Sequence, residues 1–257
     1  VIVIGISNYL RDYSYYDNGY NFSVDYYSDK DEVPSVLKEI DKKISNEKSY
    51  ISKQKYVIVE NNKDFSKEAR NANLDKEAEK NIEKYNAEGM NGFLIALEEE
   101  DLKELGGNKG EFLIYNMIQE DSSIPISKAK KIPYFENPTS LDISIGDDYQ
   151  TSIKISKSIK DFGKFKSRTM PFDVKIYTDF DTFFNLMKEA GDEKYKNYPY
   201  TLNMKVSDSG VKDAQEYSET LIREQILPED RFDIIVGEEL ERKEFESLQS
   251  LMKIVLG

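Results

Sequence analysis

The sequence predicts an α+β fold: a porter-like subdomain of strand-helix-strand units, a second mixed α/β subdomain inserted into it, and helices at both ends. Two observations favour it. Alternating apolar strands followed by helices with apolar residues every three or four positions recur along the chain. Between them lies a long segment of different composition. With 257 residues, 39% of them hydrophobic, the chain is large enough for two packed subdomains.

The first strand-helix-strand unit is predicted within residues 20–60. Phe22, Val24 and Tyr26 alternate along one face of a strand. Apolar residues then recur every three or four positions after Pro34, which is typical of the first turn of a helix. The segment "YVIVE" at 56–60 predicts the second strand.

The same strand-to-helix order recurs at 172–191 and at 201–225. The segments "YYSDKDEV", "IYTDFDTF" and "KVSDSGVK" each place Ser or Thr before Asp at the junction. Such side chains accept hydrogen bonds from the free N–H groups of a first helical turn. We therefore interpret Asp179 and Asp181 as helix-start residues, although their spacing would also allow them to bind a divalent cation.

The middle segment, 61–170, predicts the inserted subdomain. Its polar stretch "KDFSKEARNANLDKEAEKNIEKY" predicts a helix, and "NGFLIAL", "EFLIYNMI" and "TSIKISKSI" predict strands. The acidic run at 98–101 predicts the start of a short helix that ends at Gly106 and Gly107. After Ile124 the segment becomes rich in Pro, Ser and Asp.

The composition excludes several kinds of chemistry. The chain has no His and no Cys, so it cannot form a Ser-His-Asp triad, a thiolate nucleophile, a disulfide or a zinc site with those ligands. A formal net charge of -13 without clustered Lys and Arg argues against nucleic acid as a partner. We expect no enzymatic activity, no cofactor and no metal.

Two short motifs carry little weight. Ser35 and Lys38 match Ser-x-x-Lys, but the Ser-Asp-Asn and Lys-Thr-Gly motifs that accompany a serine nucleophile of that type are missing. The segment "GGNKGE" at 106–111 is similar to a phosphate-binding loop, yet it follows a helix and lacks the Gly-Lys-Ser/Thr ending. We interpret the first match as chance and the second as a turn.

Both ends of the sequence are apolar. "VIVIGISNYL" and "LMKIVLG" are each too short to span a membrane, which takes about twenty apolar residues, but each could be the outer edge of a span. Tyr9, Tyr13, Tyr15 and Tyr16 would then lie near the lipid-water boundary. We expect stalk helices at 1–19 and 241–257 that emerge on the same side of the domain. The alternative is that both ends are ordinary core segments.

The order of these features resembles a known family. An apolar end with "NYL", a "YNFSVDYY" strand and helix, a long mixed insert, the "FDVKIYT" and "LNMKVSD" strands with their helices, and a final "LQSLMKIVLG" are similar to the large extracellular domain of FtsX/MacB-like ABC transporter permeases of Gram-positive type. The resemblance covers nearly the whole chain. It rests on patterns of hydrophobicity and order rather than on single residues.

The resemblance implies an organisation and a function. Residues 20–60 and 171–240 would form the porter-like subdomain and 61–170 the insert, on the extracellular side of the cell membrane. The domain would be non-catalytic. A separate cytoplasmic ABC ATPase subunit would supply the energy, and a permease dimer would transmit the motion to a peptide, lipoprotein or envelope component.

The resemblance and the charge together suggest a binding surface. Some of these transporters confer resistance to cationic antimicrobial peptides, and an acidic external domain would attract such ligands. We expect this surface to lie on the insert, where acidic residues accompany tyrosines that we predict to be exposed. Glu120 and Asp121 are among these acidic residues. The proposed ligand-binding residues are Glu98, Glu99, Glu100, Asp101, Tyr115, Tyr134, Asp147, Asp148 and Tyr149.

Two other functions remain open from the sequence. The chain could be a division-type permease domain that activates a cell-wall hydrolase, although such external domains are usually smaller. It could also be a free-standing surface binding module.

Overall fold

The computed structural model describes most of the chain, namely residues 20–60, 64–121, 130–146, 148–165, 173–224 and 232–236. This part has mixed α+β content, with six α-helices and eleven strands, which confirms the predicted class. Among the described residues, no helix is both long and apolar enough to cross a lipid bilayer. The stalk helices that we expect at 1–19 and 241–257 lie outside the described residues.

The elements have the following bounds. The helices are α1 (Ser35–Lys43), α2 (Lys67–Asn71), α3 (Lys76–Glu88), α4 (Glu99–Glu104), α5 (Phe180–Glu189) and α6 (Val211–Glu224). The strands are β1 (Phe22–Tyr26), β2 (Lys48–Val59), β3 (Met90–Leu97), β4 (Phe112–Tyr115), β5 (Met117–Gln119), β6 (Lys131–Pro133), β7 (Ser140–Ile145), β8 (Tyr149–Ser158), β9 (Val174–Asp179), β10 (Tyr200–Lys205) and β11 (Phe232–Val236). Two short 3₁₀ helices span Glu193–Asn197 and Asp208–Gly210.

The chain divides into two compact units. The described residues of the first unit are 20–26, 33–49, 201–224 and 232–236, and those of the second fall within 27–32 and 50–200. The second unit extends beyond the insert that we expect at 61–170. It includes β9 and α5, which the sequence analysis assigns to the porter-like subdomain.

The first unit is built from both halves of the chain. Its strands pair in the order β11-β1-β10, and β1 runs antiparallel to β11 with Phe22 opposite Val236. The backbone N–H of Glu47 donates to the carbonyl of Lys205 at 2.8 Å, so the chain entering β2 lies beside β10. Helices α1 and α6 contact each other. The unit therefore consists of a strand-helix-strand segment, β1-α1 and the start of β2, and a second one, β10-α6-β11.

Polar side chains, buried at one end and half-buried at the other, hold β1 against β10. The Asn21 amide acts as a short piece of backbone: its Nδ2 donates to the carbonyl of Val206 at 2.7 Å, and its Oδ1 accepts from the Val206 N–H at 2.9 Å. At the other end of the strand, the hydroxyl of Thr201 donates to Asp25 at 2.8 Å. Because buried polar groups are costly without partners, these bonds specify the register of the two strands.

The second unit contains a closed ring of six strands. The pairing order is β2-β3-β9-β4-β8-β7, and β7 pairs back onto the end of β2, with Ile58 opposite Ser144 and Val59 opposite Ile143. The β3–β9 and β4–β8 pairs are parallel, and the other pairs of the ring are antiparallel. A separate two-stranded ladder joins β5 and β6. Helix α5 contacts β3 and β9 and buries Phe183 and Met187.

One predicted helix is wrong in extent, because the polar stretch at 63–85 forms two helices. Ser66 caps α2 by accepting from the Ala69 N–H at 3.0 Å, and Asp75 caps α3 by accepting from the Ala78 N–H at 2.8 Å. The backbone N–H of Asp75 donates to the carbonyl of Glu120 at 3.1 Å, outside its own helix. Two local caps and a long-range backbone bond therefore outweigh the continuous charged pattern.

One predicted strand is likewise divided. The segment "EFLIYNMI" forms β4 and β5, which belong to different sheets. At the break, the carbonyl of Asn116 accepts from the Tyr134 N–H at 2.7 Å, and the Asn116 side chain donates to the carbonyl of Phe135 at 3.4 Å. The buried asparagine thus redirects the chain from one ladder to the other.

Candidate functional site

The junction between β9 and α5 is held by Asp179, as the sequence predicts. Its Oδ1 accepts from the Thr182 N–H at 2.9 Å, and its Oδ2 accepts from the Thr182 hydroxyl at 2.7 Å. The Oδ2 atom also accepts from the Gly110 N–H at 2.7 Å. Burial raises the pKa of this carboxyl, but the hydrogen bonds from Gly110 and Thr182 outweigh burial and leave the pKa lowered. The helix-cap interpretation of Asp179 is confirmed.

The glycine-rich segment 106–110 packs against the same junction. Gly106 has a φ of 83°, which suits the end of α4 that the sequence predicts there. Lys109 links the first turn of α4 to the first turn of α5, because its ammonium lies 2.8 Å from Glu99 and 2.5 Å from Asp181. Asp181 is thus paired with a lysine beside the cap. The segment connects α4 to β4 and contacts the start of α5, in agreement with its interpretation as a turn.

The other two strand-to-helix junctions differ from this pattern. Helix α1 begins at Pro34 without a side-chain cap, and Ser207, which precedes the short 3₁₀ helix before α6, makes no capping hydrogen bond. The shared Ser/Thr-Asp pattern therefore predicts the strand-to-helix order three times, but a capped helix only at Asp179. Within the described part of the chain, no group of three or more acidic side chains is placed to hold a metal ion.

The acidic run that we proposed as part of a ligand surface forms the start of α4. Glu98 occupies the N-cap position without a side-chain cap, and Glu99 and Glu100 follow in the first turn. Asp101 is buried and pairs with Lys164 at 2.9 Å. Burial raises the pKa of the Asp101 carboxyl, and the Lys164 ammonium opposes that rise. Much of this negative charge is therefore balanced within the protein.

The predicted exposure of Tyr115 and Tyr134 is wrong. Tyr115 is 3% exposed and packs edge-on against Phe162, with ring centroids 4.7 Å apart. Tyr134 is fully buried beside Phe65 and Phe135. Each tyrosine lies in a segment that pairs with a neighbouring strand or backbone, and burial raises the pKa of both hydroxyls. Neither ring is available to cover a ligand.

The remaining proposed residues lie at or near the β7–β8 turn. Asp148 is exposed and Tyr149 is half-buried, opposite Ile145. Asp147 lies outside the described residues. Glu120 forms an exposed ion pair with Lys130 at 3.3 Å. Three residues of the proposed peptide surface remain that the structure describes and that make no ion pair with a lysine: Glu100, Asp148 and half-buried Tyr149.

Three lysines are buried that were not predicted from the sequence. Lys53, Lys55 and Lys175 are 1%, 5% and 4% exposed, although lysine is rarely buried without a partner. Lys53 and Lys55 lie two positions apart on β2 and therefore share one face. For Lys175, its position inside the apolar segment "FDVKIYT" is a signal that could have suggested burial, whereas Lys53 and Lys55 lie in the polar stretch "SKQKY" and have no such signal.

Lys53 sits in an aromatic setting. Its ammonium donates to the carbonyl of Tyr198 at 2.6 Å and lies 4.2 Å from the centre of the Tyr200 ring and 6.0 Å from that of Tyr195. Burial lowers the pKa of Lys53 to about 8, and the carboxylate of Asp31 opposes the shift. The rings stabilise the charged form by cation–π attraction.

Asp31 links this cluster to the segment 27–32. Its Oδ1 accepts from the Tyr195 hydroxyl at 2.6 Å, and its Oδ2 lies 2.9 Å from the ammonium of Lys188. Burial raises the pKa of the Asp31 carboxyl, but these two partners outweigh it and leave the pKa lowered. The Tyr200 hydroxyl donates to the carbonyl of Lys30 at 2.6 Å. We call Lys53, Asp31, Tyr195 and Tyr200 the lysine–tyrosine cluster.

Lys55 makes a buried ion pair beside it. Its ammonium lies 2.6 Å from Asp192, and both side chains are less than a tenth exposed. Asp192 also accepts from the Lys194 N–H at 2.8 Å and so caps the 3₁₀ helix at 193–197. The Lys55 ammonium lies 5.2 Å from the Tyr198 ring. One acidic residue thus fixes both the buried cation and the start of the next element.

These contacts favour a structural role for the lysine–tyrosine cluster. A neutral lysine is a nucleophile, and a lowered pKa raises the neutral fraction. The Lys53 ammonium, however, is buried and already donates its hydrogen bond to a backbone carbonyl within the protein. The cluster holds β2, the 3₁₀ helix and the segment 27–32 of the second unit together.

No protein-family model matches the chain, and no curated protein matches it at a significant level.

Proposed function

We propose that this chain is the extracellular domain of an FtsX/MacB-like ABC transporter permease, with the first unit as its porter-like subdomain. The observation that carries the proposal is the antiparallel pairing of β1 with β11, which sets Phe22 opposite Val236. Paired residues of antiparallel strands lie about 5 Å apart. The first residue of β1 and the last residue of β11 are therefore neighbours, as expected of a domain held at both ends by one membrane.

The division of the chain supports the same proposal. The two strand-helix-strand segments of the first unit are separated in sequence by the whole of 50–200, which forms the second unit. An insertion between the halves of a porter-like subdomain is the organisation that the resemblance implies. The proposed role is mechanical: movement of the two neighbouring connections, driven by a cytoplasmic ATPase, passes into the sheet and reaches a bound envelope component.

The proposed substrate class is broader than a cationic peptide. The burial of Tyr115 and Tyr134 removes two of the three tyrosines of that surface, and Lys109 and Lys164 balance part of its charge. A peptide, a lipoprotein or another envelope component remains the proposed cargo. Titration of the domain with a cationic peptide at low and high salt tests whether a cationic peptide is the cargo. Charge-driven binding of such a peptide should weaken at high salt, because salt screens the charges.

The proposal is tested on the complete protein in its membrane. We expect the reading frame to continue on both sides into apolar spans of about twenty residues and the protein to co-purify with an ABC ATPase. If the spans and the ATPase are absent, a free-standing binding module replaces the proposal. If the ATPase is present and the complex activates a cell-wall hydrolase without moving a substrate, the division-type function replaces it.

A further inference from the structure

A second group of buried polar side chains lies in the second unit, on the β5–β6 ladder. Gln119 and Lys131 are directly paired residues of β5 and β6, so their side chains lie on the same side of the ladder. Gln119 is 3% exposed, yet neither its amide nitrogen nor its amide oxygen has a hydrogen-bond partner among the described residues. A buried amide in this state costs stability, so its two unused groups call for a partner.

Lys131 and the buried Lys175 converge on one aromatic ring. The Lys175 ammonium lies 5.3 Å from the centre of the Phe162 ring and 5.3 Å from that of Tyr115. The Lys131 ammonium lies 5.8 Å from the same Phe162 ring. No described side chain or carbonyl forms a hydrogen bond with either ammonium group, and Lys131 is half-buried, which leaves access from its side.

The charges near Lys175 are not balanced. Burial lowers the pKa of Lys175 to about 8, the carboxylate of Asp173 opposes that shift, and the ammonium of Lys131 adds to it. Lys175 therefore has a second ammonium group near it as well as a carboxylate. Two like charges at one ring repel each other unless an anion lies near both.

We propose that Lys131, Lys175 and Gln119 bind a phosphate group. The phosphate oxygens accept hydrogen bonds from the two ammonium groups and from the amide nitrogen of Gln119. The amide oxygen of Gln119 requires a donor. A monohydrogen phosphate offers one O–H beside its acceptor oxygens, whereas an ionised carboxylate offers none. This distinction favours phosphate over a carboxylate, and the inference does not depend on the proposed transporter function.

The test is thermal unfolding of the purified protein with inorganic phosphate, compared with chloride at the same ionic strength. Phosphate that binds the folded state raises the midpoint as its concentration passes the dissociation constant. We expect Lys131→Met, which alters a half-buried side chain and leaves the core intact, to weaken the apparent affinity about tenfold or more. Gln119→Met is expected to weaken it as well. The matched control is Lys154→Met, an exposed lysine on β8, which should bind phosphate as the original chain does.

Further ligands identify the source of the group. Stabilisation by a phosphomonoester such as phenyl phosphate, lost in Lys131→Met, would support a phosphorylated molecule as the ligand, and stabilisation by inorganic phosphate alone would support the free ion. The proposal is overturned if phosphate adds nothing beyond chloride. It is also overturned if Lys131→Met responds like the control, or if acetate stabilises as well as phosphate.

Discussion

The carboxylate of Asp179 accepts three hydrogen bonds from two separate segments, so one side chain joins a helix start to a glycine-rich turn. We predict that Asp179→Ala lowers the free energy of unfolding by about 2–4 kcal/mol, because it removes a helix cap and leaves the Gly110 N–H without its acceptor. Urea unfolding measures the change. Asp181→Ala is the control, since its exposed ion pair with Lys109 contributes at most about 1 kcal/mol. Equal losses in the two variants would contradict the assignment.

The buried lysines give the protein a pH-dependent stability. Burial lowers the pKa of Lys53 and Lys175 to about 8, below the 10.5 of an exposed lysine. Between these values the unfolded chain binds more protons, so stability rises with pH, by up to about 1.4 kcal/mol per pH unit for each group. Above about pH 10 the buried tyrosines act in the opposite direction, because burial raises the pKa of their hydroxyls.

We therefore predict that the free energy of unfolding rises between about pH 8 and pH 9.5, and that Lys53→Met removes part of this rise. Denaturant unfolding at the two pH values measures it. The exposed Lys154→Met serves as the control and should retain the full rise. A stability that falls over this interval in the original chain would contradict the environment assigned to Lys53.

At the residue scale, the sequence predicts what depends on neighbours in the chain. The Asp179 cap follows from a strand, an Asp and a helical pattern in succession. The partners of Lys53, Lys55 and Lys175 come from distant segments, so no local pattern identifies them. The same limit explains the wrong prediction for Tyr115 and Tyr134. A tyrosine near acidic residues in the sequence is expected to be exposed, and the packing of Phe162 on Tyr115 and of Phe135 on Tyr134 cannot be predicted from neighbouring residues.

Between elements, the Lys55–Asp192 pair is the clearest link, because it joins the middle of β2 to the 3₁₀ helix at 193–197. We predict that Lys55→Met destabilises the protein by about 3–5 kcal/mol, since it leaves a buried carboxylate without its cation. Adding Asp192→Asn should recover part of the loss, because the asparagine oxygen can still cap the helix without a charge. A double-mutant cycle by denaturant unfolding gives the coupling. Additive losses would show that the two residues do not form a buried pair.

The order of elements is predicted better than their limits. The three strand-to-helix junctions and the strands at β3 and β8 occur where the periodicity places them. The start of β2 at Lys48, the division at Asn116 and the strand β7 in a polar stretch were not anticipated. Each depends on pairing with a segment far along the chain, and periodicity within one segment carries no information about such a partner.

At the scale of the whole molecule, the β1–β11 pairing joins the two halves of the chain that make up the first unit. Ser23 lies opposite Ile235 in that pair, and the sequence contains no cysteine that could compete. We predict that the double variant Ser23→Cys and Ile235→Cys forms a disulfide on mild oxidation and gains about 2–4 kcal/mol in stability over its reduced form. Free-thiol titration and denaturant unfolding measure both effects. The out-of-register pair Ser23→Cys with Phe232→Cys is the control and should oxidise poorly.

The class of the fold and the presence of a large insertion were predictable, because they follow from the order of strands, helices and a long segment of different composition. The closed ring of the second unit was not, since β7 reaches β2 only through a long-range pairing at Val59.

The most direct test of the account is the location of the domain in intact cells. The complete protein, carrying Glu100→Cys on the exposed start of α4, is labelled from outside with a membrane-impermeant maleimide, and the membranes are then washed with alkaline carbonate. Two neighbouring connections held by one membrane predict a labelled protein that stays in the membrane pellet. A protein that is not labelled in intact cells, or that the carbonate wash releases, would contradict the proposal that this domain belongs to a membrane permease.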